Sequence, residues 1–371
     1  MKKSILIDAR EFVPGRFTGI ARVLTGLVQA LAEHHPEYRI RLATCHVDAI
    51  PEQLVFQRSI RCRRLPASFP AAEWMLTQWT RSRDLFISPY PKLPIFGCFS
   101  RAIHTVHDVL DLTHPVYRKT IKAGIDRIRL KIALRRADLT WYDSNTSMQA
   151  TRCLVGTVGR NPKVRNLAVS DRFSELPEPK DTSIRTRYGL QQGYILVLGN
   201  GLPHKNLGVL LTIGGQMHRP FVFVGVSERN RAYWRKRFPN ARGNWIPHIP
   251  EIDLPAILRG AFCLAQPSTA EGYGYPPLEA MASGIPAVVS DIPVLREITG
   301  ESALIARPDD PRAWQAALQG LENPERRRRQ IAHGMRWVRQ FRGRQGWVKH
   351  IDDICDLLGE PWRRKKRSSQ E

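Results

Sequence analysis

The chain has 371 residues, of which 42% are hydrophobic, so it is long enough for two or three domains with apolar cores. Its 57 lysines and arginines exceed its 34 aspartates and glutamates. The resulting net charge of +23 indicates anionic partners such as nucleic acid, phospholipid headgroups or phosphorylated molecules. No run approaches the ~18 consecutive apolar residues of a membrane-spanning helix. The apolar run at residues 4–7 is too short for a signal peptide, so we expect a cytoplasmic protein.

The first half of the chain alternates short β-rich runs with helical patterns. A β-rich run at Ser4–Asp8 leads through a loop with glycine and proline to residues 20–31, where apolar residues recur at helical spacing. A long helical pattern covers residues 117–136. The other strands predicted here are residues 39–43, 85–88, 102–106 and 139–144. This alternation predicts a parallel sheet covered by helices.

A polar segment with two prolines, residues 175–183, is predicted to be a linker because it offers little to bury. After it the alternation starts again. The strands predicted in the second half are residues 194–198, 221–225, 244–246, 263–266 and 287–290. We therefore predict an α/β protein with two doubly wound Rossmann-like domains, which face each other across a central cleft.

A segment rich in glycine and proline follows the strand predicted at residues 263–266 and opens a helix. Gly272 and Gly274 permit a tight turn with outward-pointing amides, and the following helix N-terminus favours an anion. Glu271 lies in the turn and Glu279 in the helix, so one carboxylate can meet the reacting end of a ligand while the other binds hydroxyl groups. Alternatively, Glu271 caps the helix and Glu279 faces solvent, since glutamate near a helix start is favourable in either case.

The spacing of Glu271 and Glu279, with seven residues between them, resembles the signature of retaining GT-B glycosyltransferases of family 4. The resemblance continues through residues 283–290 and Asp309-Asp310. It implies that Glu271 contacts the sugar of a nucleotide-sugar donor and that Glu279 contacts the nucleotide ribose. The turn residues implied to meet the donor phosphate and sugar are Gly272, Tyr273, Gly274 and Tyr275.

The same resemblance implies a domain organisation. Residues 1–174 would form the N-terminal acceptor-binding domain and residues 184–345 the donor-binding domain. In residues 346–371, a last helix would cross back toward the N-terminal domain, followed by a basic tail.

A second segment supports the resemblance, because the strand at residues 194–198 runs into a glycine loop and then a cation. Lys205 is placed to neutralise a diphosphate leaving group. Gly199 and Gly201 also resemble the start of a dinucleotide-binding fingerprint, but His204 takes the place of its third glycine, so this indication of a dinucleotide site is weak. The segment is similar to the family's donor-phosphate loop, with His204 where arginine is usual. The resemblance thus implies donor binding by His204, Lys205 and Asn206.

Residues of the N-terminal half complete the predicted cleft. His107 and Asp108 follow a predicted strand, and their motif is similar to one whose histidine reaches the donor sugar; a lone histidine is more often structural. Gly19 resembles a glycine of the family's Gly-Ile-Gly-Arg loop, although Ala21 replaces the second glycine. Ser144 matches a strand-end serine of the cleft and alternatively caps the next helix.

The positive charge is concentrated in the helical pattern at residues 117–136. A basic amphipathic helix of this kind is typical of anionic membrane surfaces, and a solvated face over a buried apolar side is the alternative. The residues predicted to face the membrane are Arg127, Arg129, Lys131 and Arg135. Nucleic-acid binding is disfavoured, since no nucleic-acid-binding motif or aromatic stacking platform accompanies the charge.

Together these resemblances imply a retaining enzyme that moves a hexose, with mannose or a deoxyhexose such as rhamnose favoured, from a nucleotide diphosphate sugar. A GDP-sugar is the favoured donor, and the acceptor is a hydroxyl of a lipid-linked saccharide in surface polysaccharide synthesis. No cofactor is expected, and no metal, because an Asp-x-Asp motif is absent. We expect a peripheral protein at the inner face of the cytoplasmic membrane. The alternatives are a UDP-hexose-dependent glycosyltransferase and a non-catalytic phosphate- or nucleic-acid-binding protein on the same fold.

Overall fold

The computed structural model describes residues 2–15, 18–114 and 118–359. The strands are β1 (Ser4–Asp8), β2 (Arg39–Thr44), β3 (Ile60–Arg64), β4 (Leu85–Ser88), β5 (Ala102–Val106), β6 (Leu139–Tyr142), β7 (Pro162–Val164), β8 (Tyr194–Leu198), β9 (Phe221–Val224), β10 (Asn244–Ile246), β11 (Ala261–Gln266), β12 (Ala287–Ser290) and β13 (Leu304–Ala306). The helices are α1 (Gly19–His34), α2 (Glu52–Val55), α3 (Phe69–Thr80), α4 (Leu110–Thr113), α5 (Ile121–Arg136), α6 (Asn145–Val155), α7 (Asp181–Arg187), α8 (Leu207–Ile213), α9 (Glu228–Arg237), α10 (Leu254–Gly260), α11 (Tyr275–Ala282), α12 (Pro293–Thr299), α13 (Pro311–Gly320), α14 (Pro324–Val338) and α15 (Gly343–Leu358).

The strands form two parallel sheets, which confirms the predicted two-domain α/β fold. The first sheet has seven strands in the order β3-β2-β1-β4-β5-β6-β7, and the second has six in the order β10-β9-β8-β11-β12-β13. In each sheet the strand order reverses beside its first strand, β1 or β8. Open α/β sheets bind ligands at the carboxyl ends of their strands at such a reversal.

Side chains of the first sheet alternate between two covered faces. Ile5 and Ile7 pack with α1 on one face, while Leu6 packs with α3 and α5 on the other. Burial on both faces explains why the central strands are continuous apolar runs that the sequence reveals. The strands missed in the sequence, β3, β7 and β13, all lie at sheet edges and are only partly buried, so their apolar signal is weak.

Two chain segments, around Val169 and around residues 341–343, run side by side where the domains are connected. The amide of Val169 donates to the carbonyl of Phe341 at 2.7 Å, and the amide of Gly343 donates to the carbonyl of Val169 at 2.9 Å. The predicted linker at residues 175–183 extends too far, because α7 already begins at Asp181. The carboxylate of Asp181 is buried and pairs with Arg259 at 2.6 Å, which makes this residue part of the C-terminal domain.

The last helix, α15, lies against the N-terminal domain. The buried carboxylate of Asp353 accepts hydrogen bonds from the Trp141 indole (2.9 Å), Lys163 (2.6 Å) and Arg165 (2.7 and 2.8 Å). Gly26 of α1 packs directly on the Trp347 ring. The basic tail at residues 360–371 falls outside the described part of the chain.

The predicted basic helix is α5, which begins at Ile121; the first predicted position, residue 117, is outside the described residues. The expectation that Arg129 faces a membrane is wrong, because its side chain is only 11% exposed and pairs with Glu73 at 2.8 Å. Arg127 donates to the carbonyl of Leu154 at 2.6 Å, although its side chain is exposed. Lys131 and Arg135 are exposed.

Candidate functional site

The two domains meet where β5 and β11 end. His107 and Asp108 directly follow β5, and the turn before α11 directly follows β11. The Ser147 hydroxyl is within hydrogen-bond distance of the carbonyls of both His107 (2.8 Å) and Gly272 (3.2 Å). A Cβ atom at Gly272 would lie 2.3 Å from the Asp108 carboxylate, so only glycine permits this approach of the two strand ends. Two segments predicted separately thus form one site.

Lys205 and Glu271 form an ion pair on the C-terminal side of this site. The Lys205 ammonium donates to both carboxylate oxygens of Glu271, at 2.7 and 2.8 Å. The Ser268 hydroxyl donates to the same carboxylate at 2.6 Å, and the Gln266 amide also donates to it. Three neighbours therefore fix the orientation of the Glu271 carboxylate, which does not simply cap α11.

The turn before α11 owes its shape to Gly274. This residue has a φ of 105°, in the left-handed region, and an added Cβ would lie 2.8 Å from side-chain atoms of Ile298 and Leu295. The helix then begins with Tyr275 and two prolines, which cannot donate backbone hydrogen bonds and suit a first turn. The N-terminus of α11, which favours an anion, therefore directly follows the turn in which Glu271 binds Lys205.

The two tyrosines of the turn differ in the hydrogen bonding of their hydroxyl groups. Tyr273 is buried, and its hydroxyl donates to the carbonyl of Leu167 at 3.3 Å, so the side chain ties the turn to the N-terminal domain. Only the backbone of Tyr273 is left for the predicted donor contact. The Tyr275 hydroxyl is buried without a hydrogen-bond partner among the described residues, and its ring packs edge-on against Tyr273 at 5.6 Å.

Glu279, about one turn into α11, is buried and pairs with Arg22 of α1. The other terminal nitrogen of Arg22 donates to Glu251 at 2.7 Å. Burial raises the pKa of Glu279 to about 7; the Arg22 guanidinium opposes this rise and the Glu251 carboxylate adds to it. The alternative that Glu279 faces solvent is therefore wrong. Arg22 was missed in the sequence, although it ends the Gly19-Ile20-Ala21-Arg22 segment that resembles the family's loop.

His107 is held at both ring nitrogens. Nδ1 lies 2.7 Å from the Asp143 carboxylate, and Nε2 lies 3.1 Å from the carbonyl of Pro89. Both neighbours only accept hydrogen bonds, so the doubly protonated ring satisfies both. Burial is the largest single effect and opposes protonation, but the charge and hydrogen bond of Asp143, with the Asp108 charge and the Pro89 carbonyl, together raise the pKa of His107. Asp143 was missed in the sequence, where its place near the end of the strand predicted at residues 139–144 was the available signal; in the structure this strand ends at Tyr142.

The neighbouring predicted residues have mainly local partners. Asp108 accepts a hydrogen bond from the Leu110 amide at 2.9 Å, at the start of α4, and burial raises the pKa of its carboxyl group. Ser144 caps α6 by accepting from the Ser147 amide at 3.0 Å, as its alternative interpretation held. Gly19 begins α1, and a Cβ there would meet nothing within 4 Å.

The residues beside Lys205 shape its loop. Asn206 adopts a left-handed conformation with φ 52°, and its amide donates to the carbonyls of Pro267 (3.0 Å) and Pro308 (2.7 Å). The carbonyl of His204 accepts from the Thr269 amide at 2.8 Å. Burial, followed by the Lys205 charge, lowers the pKa of the His204 imidazole. These contacts fasten the Lys205 loop to the end of β11.

The described residues contain no group of three or more histidines, cysteines, aspartates or glutamates arranged to hold a metal ion. No helix in the described ranges is long and apolar enough to cross a membrane.

Comparisons with known proteins relate this chain to glycosyl transferases. The family described as "Glycosyl transferases group 1" matches residues 182–337. The chain is 29% identical over 365 residues to O-antigen chain mannosyltransferase B of Escherichia coli, which covers 91% of this chain and 95% of that relative.

Solved structures share the complete two-domain fold. Sucrose-phosphate synthase from Thermosynechococcus elongatus superposes with a TM-score of 0.77 at 18% identity, covering 96% of this chain and 100% of that one. Anabaena HepE, solved in complex with UDP-glucose, superposes with a TM-score of 0.76 at 15% identity and the same coverage. The chain therefore has the two-domain fold of these structures, and its residues 182–337 match the glycosyl transferases of group 1.

Proposed function

We propose that this protein is a glycosyltransferase that moves mannose, or a deoxyhexose such as rhamnose, from a GDP-sugar to a hydroxyl of a lipid-linked saccharide, with retention at the anomeric carbon. The observation that carries the proposal is the convergence of Lys205, Glu271 and the glycine turn at the N-terminus of α11. Similarity to an O-antigen chain mannosyltransferase over 91% of the chain supports the choice of sugar and of a surface polysaccharide as the product.

In the proposed complex the donor diphosphate lies between Lys205 and the turn amides of residues 272–274. The ammonium group and the helix dipole stabilise the negative charge that develops on the leaving phosphate. This arrangement supplies positive charge from the protein itself, so we propose that transfer needs no metal ion. Glu271, which Lys205 already orients, accepts hydrogen bonds from the sugar hydroxyls.

We further propose that Glu279 accepts hydrogen bonds from the ribose. Arg22 engages Oε1 of this carboxylate and opposes the rise in its pKa that burial causes. His107 contributes on the opposite side of the cleft, where Asp143 holds its ring and the Ser147 hydroxyl lies between its backbone carbonyl and that of Gly272.

For the transfer step, we propose that the leaving phosphate itself takes the proton of the acceptor hydroxyl. The bond from the anomeric carbon to the phosphate oxygen breaks as the bond to the acceptor oxygen forms on the same face. The configuration is therefore retained, and no covalent sugar-enzyme intermediate is required. The acceptor enters from the N-terminal domain, at the inner face of the cytoplasmic membrane.

The test is to incubate the purified protein with GDP-mannose, GDP-rhamnose and UDP-glucose, each with a lipid-linked saccharide acceptor, and to identify products by mass spectrometry. We expect transfer from a GDP-sugar, retention by NMR of the product, and unchanged activity with a chelator. Glu271→Gln is expected to abolish transfer, whereas Glu301→Gln, an exposed glutamate of the same domain, is the matched control.

Other outcomes distinguish the alternatives. Transfer from UDP-glucose alone would replace the proposed donor with a UDP-hexose. Inversion of the product would contradict the proposed transfer step. Failure of every nucleotide sugar to bind or react would favour a non-catalytic phosphate-binding protein on this fold.

A further inference from the structure

Large apolar side chains are exposed together on the side of the N-terminal domain that α3 and α5 cover. Ile121, Ile125 and Ile128 lie on one stripe of α5 and are 87%, 54% and 61% exposed. This stripe is separate from the buried side of the helix, which packs through Ala123, Leu130, Ala133 and Leu134. We call the α3–α5 face the set of exposed apolar residues formed by Phe69, Trp74, Ile95, Phe96, Ile121, Ile125 and Ile128.

Three elements contribute to the α3–α5 face, and specific contacts fasten them together. Arg136 of α5 donates to the carbonyls of Pro94, Ile95 and Gly97, and so holds the loop that exposes Ile95 and Phe96. Arg129 of α5 lies 5.8 Å from the ring centre of Phe69 on α3 and pairs with Glu73 of the same helix. The exposed apolar residues therefore belong to a fixed surface.

Cations surround this face, while its acidic groups are neutralised. The exposed cations of α5 and of the turn before it are Arg118, Lys119, Lys122, Arg127, Lys131 and Arg135. Asp126 pairs with Lys122 at 3.2 Å, and Glu73 pairs with Arg10 and Arg129. Apolar side chains rimmed by an excess of positive charge complement an anionic bilayer, whose headgroups attract the cations while its acyl region accepts the apolar groups.

We propose that the α3–α5 face docks on an anionic phospholipid bilayer by inserting its isoleucine and aromatic side chains. The face is connected to the cleft, since Glu73 pairs with Arg10, and Arg10 pairs with Asp8 at the carboxyl end of β1. An acceptor lipid would thus stay in the bilayer while its saccharide reaches the cleft; this part of the inference rests on the proposed lipid-linked acceptor.

The experiment is flotation of the purified full chain with vesicles of phosphatidylcholine, with and without about 30% phosphatidylglycerol. The double variant Ile121→Asp/Ile125→Asp removes apolar contact at two exposed positions and adds negative charge. We expect it to lower the partition onto anionic vesicles by at least about tenfold. Phe56→Asp is the matched control, because Phe56 is 81% exposed but follows α2, which covers the opposite face of the first sheet.

A second variant separates charge from insertion. Lys122→Gln/Lys131→Gln/Arg135→Gln keeps the isoleucines, and we expect it to lose most of the preference for anionic over neutral vesicles. Nucleotide-sugar binding by thermal shift should be unchanged in all these variants, which shows that they fold. Because flotation needs no donor, its failure is distinguishable from failure of the proposed transfer.

Two results would overturn the inference. One is vesicle binding that the isoleucine variant leaves unchanged, or no binding by the native chain. The other is a dimer in sedimentation that the isoleucine variant dissociates, which would make the face an interface between two copies.

Discussion

Arg22 in the first helix and Glu279 in the helix of the donor side form an ion pair across the cleft, although 257 residues separate them in the chain. The same guanidinium bridges to Glu251 at 2.7 Å, so one cation of the N-terminal domain serves two carboxylates of the C-terminal domain. Glu279 is almost completely buried, and removing its counter-charge would leave two acidic groups facing each other. The contact thus couples the arrangement of the domains to the charge of a proposed donor-binding residue.

Replacing Arg22 should change the pH dependence of nucleotide binding. In the native chain, affinity for GDP should fall as the pH drops below about 7, because Glu279 becomes protonated and accepts ribose hydrogen bonds less well. In Arg22→Gln the pKa of Glu279 should rise further, so affinity near neutral pH falls about tenfold and recovers in alkali. Calorimetric titration between about pH 6 and pH 9 measures this shift.

The control for that prediction is Arg344→Gln. Arg344 lines the same cavity of about 390 Å³ as Arg22, but it pairs with Glu33 at 2.6 Å. Superimposable pH profiles for the native chain and Arg22→Gln would show that Arg22 does not control the charge of Glu279.

Replacing Lys205 should slow the chemical step more than it weakens donor binding. We expect Lys205→Ala to lower kcat by about 100-fold or more, since the ammonium group is proposed to stabilise the charge of the leaving diphosphate. Steady-state kinetics with the preferred nucleotide sugar provide the measurement. Lys236→Ala removes an exposed cation from α9 of the same domain and should leave kcat unchanged. Equal rates for the two variants would refute the proposed role of Lys205.

The His107–Asp143 contact should contribute to stability in a pH-dependent way. The pKa of folded His107 is raised, so its stabilising effect is complete below the unfolded value near 6.5 and is lost as the pH rises through the folded value. Asp143→Asn should therefore lower the free energy of unfolding more at pH 6 than at pH 9, with a difference of about 1–3 kcal/mol. Urea denaturation at both pH values tests this, with exposed His333→Gln as the control. A cost independent of pH would contradict it.

Glu297 should help to hold the domains together. Its carboxylate on α12 accepts hydrogen bonds from the amides of Asn145 (2.5 Å) and Thr146 (3.0 Å), at the N-terminus of α6 in the other domain. We expect Glu297→Ala to lower stability by ~0.5–2 kcal/mol, the usual cost of losing a helix cap, and to favour a more open arrangement. An increased radius of gyration in solution scattering would show the opening, and an unchanged radius with unchanged stability would argue against it.

Much of the fold could be predicted because buried parallel strands leave a strong local signal. The runs that became β1, β4, β5 and β8 were predicted with the bounds that the structure has. The glycine turn before α11 was also predictable, since Gly274 must adopt a left-handed conformation. Edge strands such as β3 were missed because they bury too little to need a continuous apolar run.

The sequence by itself determined the two-domain α/β architecture and which loops carry Lys205, Glu271, Glu279 and His107, because apolar periodicity and glycine turns are local properties. Only the tertiary structure decided which groups meet. Lys205 and Glu271 are 66 residues apart, and Arg22 and Glu279 come from different domains, so their contacts depend on how the sheets are assembled. Periodicity likewise predicted the helix that became α5, but only the packing of the domain decided that Ala123, Leu130, Ala133 and Leu134 are buried while its isoleucine stripe stays exposed.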